Sequence, residues 1–467
     1  IKNTLAKEFK KNHISIYEIE LLFTGTAPLV PYLSTYARQL GFTSSTVGLI
    51  YTVLPICGLI AKPLFDLENF LNLYNTLCDV WDMSQYCNKN VNLNNIQKGN
   101  STSDIYTEIQ IISSEKTSNG KNMIQQFLEF TSEMLNESHT QFTSQFWLFF
   151  ILMIISWVGQ AVIVSVADAI CFNMLGNKPQ HYGRQRLWGS VGWGLFSLLT
   201  GTLIDAFSNG AHKNYIAAFV LMFIFMFGDI VASCFIDNNT PNTSTSILTD
   251  VGSLLKSLST FVFLLWTIAV GLGTGLLWQF LFWHIEDISG LTCEGSTYVK
   301  TLQGLVSAIQ SFCGEIPFMF LSGILKKLGH ENMMGIVLFA FGVRFILYSI
   351  LTNPWWILPI EMLQGVTFGM FYPTMTSYAS IVAPPGTETT VQGLTGAVFE
   401  GVGTSLGSYI GGRLYEVYGG WQTFRWYGYG AFICCAFHFV IQYLLSKRNR
   451  SHKYFEVTRI DKDYTQV

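Results

Sequence analysis

Charge is scarce in this chain. Only 12% of its 467 residues are Asp, Glu, Lys or Arg, against roughly 25% in an ordinary soluble domain. Neither sign is in excess: 27 Lys and Arg face 30 Asp and Glu. A basic surface for phosphate backbones is missing, so no nucleic-acid partner is expected. The same composition excludes a disordered chain and a soluble globular enzyme. No Gly-x-x-x-x-Gly-Lys-Ser/Thr stretch occurs, which excludes an ATP-driven pump, and there is no His-Glu-x-x-His. The eight histidines are scattered, and the nine cysteines show neither a paired Cys-x-x-Cys nor a metal spacing. No metal, cofactor or catalytic constellation is expected.

Apolar residues are what the chain has in abundance. They make up half of it, and the mean hydropathy is +0.34. That composition is expected of an all-α, multi-pass membrane protein whose main partner is the lipid bilayer. A helix needs ~20 predominantly apolar residues to cross the hydrocarbon. Eleven stretches qualify: 17–36, 46–65, 146–174, 188–206, 214–236, 259–282, 301–325, 333–352, 355–382, 392–414 and 425–445. Between the second and third lies a polar, acidic segment, 67–145. A shorter polar break at 237–257 separates two sets of spans. The expected organisation is an N-terminal bundle (1–236) carrying 67–145 as an extracellular loop, a cytoplasmic linker (237–257), a C-terminal bundle (258–446) and a basic cytoplasmic tail (447–467). The chain opens on Ile1 rather than Met, as a fragment or processed product would. No cleavable signal peptide is expected ahead of the first span, because residues 1–16 carry four lysines and no apolar run.

Orientation follows from the basic residues, which favour the cytoplasm in short loops. They place the N-terminus, the loop bearing Lys178, Arg184 and Arg186, and the tail from Lys447 to Lys453 all inside. The parity then fails. Two spans from an inside start return the chain to the inside at Asp66, and the next would carry Arg184 outside. One extra crossing within 67–145 restores it, yet no stretch there is apolar enough to span. The sequons at Asn100 and Asn136 suit glycosylation of an outside loop, and Cys78–Cys87 is the candidate disulfide within it. Cys57, Cys171, Cys234, Cys313, Cys434 and Cys435 lie in apolar stretches and read as small core residues.

An internal repeat is present. At an offset of 207, Gln185, Leu187, Gly189, Val191 and Gly194 match Gln392, Leu394, Gly396, Val398 and Gly401. Both sets open a glycine-rich helix just after an inside loop, as parallel six-span halves would produce.

Several motifs carry a family resemblance. They are Tyr182–Gly194, Gly314–Gly323, Leu363–Gly369, Ala383–Gly386, Gln392-Gly393 and Gly411-Gly412. In combination they resemble the major facilitator superfamily, and within it the branch of major facilitator superfamily domain-containing protein 6. The resemblance implies a major facilitator fold, two six-helix bundles around a central cavity. It also implies twelve spans where eleven are counted. The family's Gly-x-x-x-Asp-Arg loop after span two is replaced by Ala61–Asp66, so the third span is expected to be absent from this version of the chain.

An ionisable side chain at a helix centre costs ~2.5–3.5 kcal/mol on insertion scales, so those that persist face a partner or a cavity. Arg344 and Glu361 flank one hairpin at equal depth and can form a salt bridge. That pair is either a fixed tie between two helices or a proton-coupling site, as acids and an arginine on these helices are in the resembling lactose permease relatives. Glu315, directly before Ile316-Pro317, is the third proton-coupling candidate. Gln279, Trp278, Gln364, Tyr372 and Glu400 are substrate-cavity candidates, with simple packing as the alternative for the aromatics. Asp168, Arg184, Arg186 and Asp229 are candidates for a cytoplasmic gate. Trp283, His284, Trp355 and Trp356 read as interface-belt residues.

Two functions fit. One is a secondary-active transporter of a small polar solute, neutral or cationic, working by alternating access and coupled to protons. The other is a cell-surface receptor or binding protein whose loop 67–145 recognises an extracellular protein ligand. Both expect a plasma-membrane protein with cytoplasmic termini.

Overall fold

The computed structural model describes residues 25–64, 144–175, 182–208, 212–233, 258–291, 297–319, 328–383 and 388–464. Among the described residues every regular element is helical. Five helices are long and apolar enough to cross a membrane, and 44–58 and 216–231 are shorter apolar helices.

We number the helices in chain order. α1 (Leu33–Gln39) follows a tight 3-10 turn, Val30–Tyr32, where Pro28 and Pro31 cannot donate into a regular helix. α2 is Ser44–Leu64, α3 Ser144–Leu175, α4 Tyr182–Ala206, α5 Ile216–Ser233 and α6 Leu258–Ser289. α7 runs from Val299 to Met319 and α8 is His330–Ser349. α9 begins at Pro354, with the Asn353 side chain accepting from the Trp355 amide, and ends at Val382. The last run breaks at Gly419, whose φ of 74° suits only a residue without Cβ. We take 388–418 as α10 and 420–464 as α11.

Apolar residues cover the outside as well as the core. On α5, Ile216, Phe223, Phe227 and Ile230 are all exposed, with Phe223 at 74%. A helix facing acyl chains keeps its apolar side outward and pairs its backbone groups internally.

The two halves meet along two seams. On the first, α4 packs antiparallel to α7. A Cβ on Gly201 would collide with the Lys300 carbonyl, and one on Gly304 would stand 2.8 Å from both the Leu198 Cα and the Ser197 carbonyl. Gly194 lies against Ser311 and Phe312. On the second, α2 packs antiparallel to α10, where Gly48 faces the Ser408 carbonyl and Gly412 faces that of Ser44. Glu416 and Thr52 close this seam at its ends, by accepting from the Ser45 amide and by donating to the Ser405 carbonyl. The repeat-bearing helices, α4 and α10, each pack on a helix of the opposite half, α7 and α2.

α2 and α3 run parallel. Phe42 meets Phe146 at 5.8 Å between rings, Tyr51 meets Trp157 at 6.0 Å, and Gly58 lies against Ala161. Residues 65–143 lie outside the described residues, and with them the count of spans and the extra crossing that the charge parity asked for. So do Asn100, Asn136, Cys78, Cys87 and the linker 237–257.

Three expectations are corrected. Trp283 and His284 are 4% and 0% exposed rather than at the membrane interface. Trp283 donates to the Ser34 carbonyl, and the His284 ring faces the Tyr348 carbonyl at 3.0 Å. Cys313, expected in the core, is exposed. Trp355 and Trp356 are exposed, as a belt requires.

The seam generates a prediction. Gly304→Leu forces side-chain atoms into backbone, and overpacking costs about 1–3 kcal/mol or more. The expected result is a clearly lower melting temperature in detergent. Gly393→Ala, at a position with open space around it, is expected to leave the melt unchanged.

Candidate functional site

One set of polar residues in the C-terminal half converges on a buried arginine. Arg344 sits on α8 and is 1% exposed. Its Nε donates to the Tyr348 hydroxyl at 2.7 Å. Its Nη1 donates to Gln364 Oε1 at 2.5 Å and Thr367 Oγ1 at 2.9 Å. Its Nη2 forms a salt bridge with Glu361, which is 0% exposed. Glu361 also accepts from the Tyr348 hydroxyl at 2.5 Å and from Gln310 Nε2 at 2.7 Å. Each bond in this set runs from a donor to an acceptor, so the network is consistent in direction.

The charges are far from water, and taking each out of water costs several kcal/mol. Their mutual attraction, the hydroxyls and the amides offset that cost. A guanidinium keeps its charge under all ordinary conditions.

The network reaches across the halves. The Gln364 side chain donates through Nε2 to Glu315 at 3.4 Å, and Ser190 on α4 donates to the other oxygen of Glu315 at 3.2 Å. The path from Arg344 to the N-terminal half therefore runs through Gln364 and Glu315.

Local backbone geometry supports this convergence. α7 widens into a π-turn at Gln310–Glu315, α9 at Gly365–Gly369 and α10 at Val398–Thr404. The Gly369–Met370 end of the α9 turn is closed by a bond from the Met370 amide to the Gly365 carbonyl at 2.8 Å. Such turns shift side-chain register within a helix and recur at functional sites. The α7 and α9 turns touch, with Gly314 against Gln364 and Gly365. Pro317 follows the α7 turn and weakens the next one.

The structure thus joins Glu315, Arg344, Glu361 and Gln364. Trp278, 43% exposed, stands beside Phe368 at 6.2 Å and Phe399 at 6.3 Å, and Tyr372 stands beside Phe368 at 5.9 Å. Gln279 is buried on α6, and Glu400 is exposed within the α10 π-turn. Asp229 is buried on α5. The side chains of Asp168, Arg184 and Arg186 lie outside the described residues, so the cytoplasmic cluster has no geometry here. Sequence reasoning missed Tyr348, Gln310 and Thr367. Tyr348 had a signal: it lies four residues after Arg344, on the same helix face.

The chain belongs to the MFS_1 like family, whose model matches residues 20–426. It is thus a member of the major facilitator superfamily and a multi-pass membrane protein. It is 25% identical over 307 residues to major facilitator superfamily domain-containing protein 6-like protein B of Xenopus laevis, covering 61% of this chain and 46% of that one. The chain thus spans about half the length of that curated relative. It is 27% identical over 317 residues to the maltose permease of Geobacillus stearothermophilus, covering 65% of this chain and 73% of the permease. The crystal structure of the nucleoside transporter NupG superposes with a TM-score of 0.63 at 14% identity. It covers 91% of this chain and 98% of that one, which establishes the shared fold.

The ion pair generates the second prediction. Glu361→Leu leaves a buried guanidinium without an anion, which costs about 3–5 kcal/mol. The Arg344→Met, Glu361→Leu double variant is expected to regain most of that. Thermal unfolding of the two variants measures the difference; equal loss in both would remove the ion pair as the cause.

Proposed function

We propose that this protein is a secondary-active transporter of a small polar solute, working by alternating access and coupled to protons. The observation that carries the reading is the hydrogen-bonded path Glu361–Arg344–Gln364–Glu315–Ser190, buried from Glu361 to Gln364 and half-buried at Glu315 and Ser190. It places two carboxylates on either side of one arginine and ties them to both halves of the fold. The superfamily relatives, a permease and a nucleoside transporter by name, support transport as the activity.

The chemistry follows from the geometry. While Glu361 is ionised, Arg344 and Tyr348 hold α8 to α9. Protonation removes the anion and leaves the guanidinium in need of one. Gln364 presents its oxygen to Arg344 and its nitrogen to Glu315, so a small shift of α7 against α9 brings the second carboxylate toward the cation. The solute we expect is neutral or cationic, since mid-membrane bases are few against Glu315, Glu361 and Glu400. Trp278, Tyr372 and Gln279 are the candidate wall of its site. We place the Gly41 end of the bundle outside, the termini in the cytoplasm and the protein in the plasma membrane, on the distribution of basic residues. The receptor reading rests on 67–145, of which 67–143 lie outside the described residues, and nothing in the relatives supports it.

The test is an untargeted metabolite comparison under an imposed pH gradient, with native protein set against Glu361→Gln and Glu315→Gln at matched surface levels. At least one solute is expected to accumulate only with the native chain and to fall when the gradient is collapsed. Identical profiles in all three would overturn proton coupling through these acids.

A further inference from the structure

Several acids of this protein are matched by cations. Glu361 is paired with Arg344. At the rim by Gly41, Arg38 takes up Asp287 at 2.5 Å. Lys300 takes up Glu286 at 2.6 Å there, and also donates to Thr35 Oγ1 at 2.8 Å and Gln303 at 3.1 Å. Lys213 takes up Asp205 at 2.7 Å. Glu400, in the α10 π-turn, is different. It is exposed, and its side chain has no hydrogen-bond or ion-pair partner among the described residues. The Thr404 hydroxyl bonds to its backbone carbonyl at 2.5 Å, not to the carboxylate.

Glu400 does not face lipid. Val402, Leu406 and Ile410 are exposed and form the apolar outer stripe of α10. Glu400 lies two residues before Val402, about half a turn round the helix. On its own side stand Gly396 and Gly393 at helical spacing, and a Cβ on either would meet nothing within 4 Å. This face of α10 therefore borders open space inside the bundle. The adjacent Phe399 is buried, and its ring stands 6.3 Å from Trp278 and 6.4 Å from Phe368. Trp278 follows Gly271 and Gly275, the glycines on which α6 packs against α10. Its indole meets Phe368 of the α9 π-turn at 6.2 Å, and Tyr372 extends that wall at 5.9 Å from Phe368. The indole is still 43% exposed, so much of its ring surface is left for a ligand.

A free carboxylate beside open aromatic faces selects among ligands. A neutral solute leaves the anion unpaired when the cavity closes, at high cost in a low dielectric. A bare metal ion needs about six oxygens, and one carboxylate among rings does not supply them. An ammonium bearing alkyl groups is satisfied twice, by the carboxylate and by the faces of the indole and phenol rings. We infer that the solute is an organic cation, an alkylated ammonium, with Glu400 as its counter-ion and Trp278 and Tyr372 as its aromatic wall. The inference rests on the transport reading above and narrows its solute to a cation.

The test reads binding rather than flux. Radiolabelled tetramethyl-, tetraethyl- and tetrapropylammonium are dialysed to equilibrium against the purified full chain in detergent, with empty micelles as the blank and sodium chloride as competitor. At least one of these ions is expected to bind, and Glu400→Gln is expected to weaken it at least about tenfold. Trp278→Leu is expected to weaken it about two- to thirtyfold, with Trp278→Phe in between. Because Glu400 is exposed and unpaired, Glu400→Gln is expected to melt with the native chain, which separates lost binding from lost fold. The inference is overturned by no binding above the blank, by binding unchanged in Glu400→Gln or in both Trp278 variants, or by sodium competing as well as the ammonium ions do. Binding that needs Glu400, in a chain that accumulates no solute under a pH gradient, keeps this site and sinks transport. Accumulation of a solute without ammonium binding keeps transport and sinks this inference.

Discussion

Two apolar helices in hydrocarbon gain nothing by burying apolar surface against each other, because the acyl chains are equally apolar. The two halves of this protein must be held by something else, and close backbone approach supplies it. Along α4 and α7 the contacts step from Gly201 against Lys300, through Gly304 against Ser197, to Ser190 against Glu315. Along α2 and α10 they step from Ser45 and Glu416, through Gly48 and Ser408, to Thr52 and Ser405. Glycine and serine make these surfaces smooth. They attract through many short contacts but do not interlock through large side chains. Smooth seams leave directional contacts to fix how the two halves sit against each other.

Those directional contacts sit at two levels, and α7 carries parts of both. Lys300 and Gln303 lie at the rim and Gln310 and Glu315 at mid-membrane, with Gly304 on the seam between. A displacement of α7 relative to α4 therefore changes the Lys300–Thr35 and the Glu315–Ser190 bonds together. The warrant for coupling is that both bonds span the same two halves through one helix. The π-turn at Gln310–Glu315 and Pro317 give that helix a compliant point between the levels.

The sequence made part of this legible. Arg344 and Glu361 were visible because ionisable groups inside long apolar runs are costly, and their equal distance from the turn at Asn353 set their depth. The repeat beginning at Gln185 and Gln392 marked α4 and α10, one helix of each seam. Lys300, Glu286 and Asp287 were not legible, for a physical reason. Charges at the ends of apolar runs usually meet water or headgroups, so these read as ordinary span ends. Only the packing of α1 against α6 and α7 turns them into a buried cluster. Trp283 misled in the same way, because an indole near a span end normally seeks the interface. The π-turns were also invisible, since one extra residue in a helical turn leaves no compositional mark.

The mid-membrane site binds its chemistry to its geometry through one asymmetry. Arg344 cannot give up its charge, whereas Glu361 can. If Glu361 takes a proton while nothing moves, the guanidinium keeps the Tyr348, Gln364 and Thr367 oxygens but loses its only charged partner in the network. Neutral acceptors replace an anion poorly in a medium of low dielectric. An Arg344 without that carboxylate is therefore poorly satisfied in the arrangement seen here and better satisfied only in one that offers it another carboxylate or water. Glu315 stands one amide away, on the helix that also spans to Ser190. In the transport reading proposed above, loss of the Glu361 contact and displacement of α7 would favour each other. A chain with a smaller or more exposed cation at position 344 would lose that linkage, because its charge could be hydrated or discharged without any helix moving.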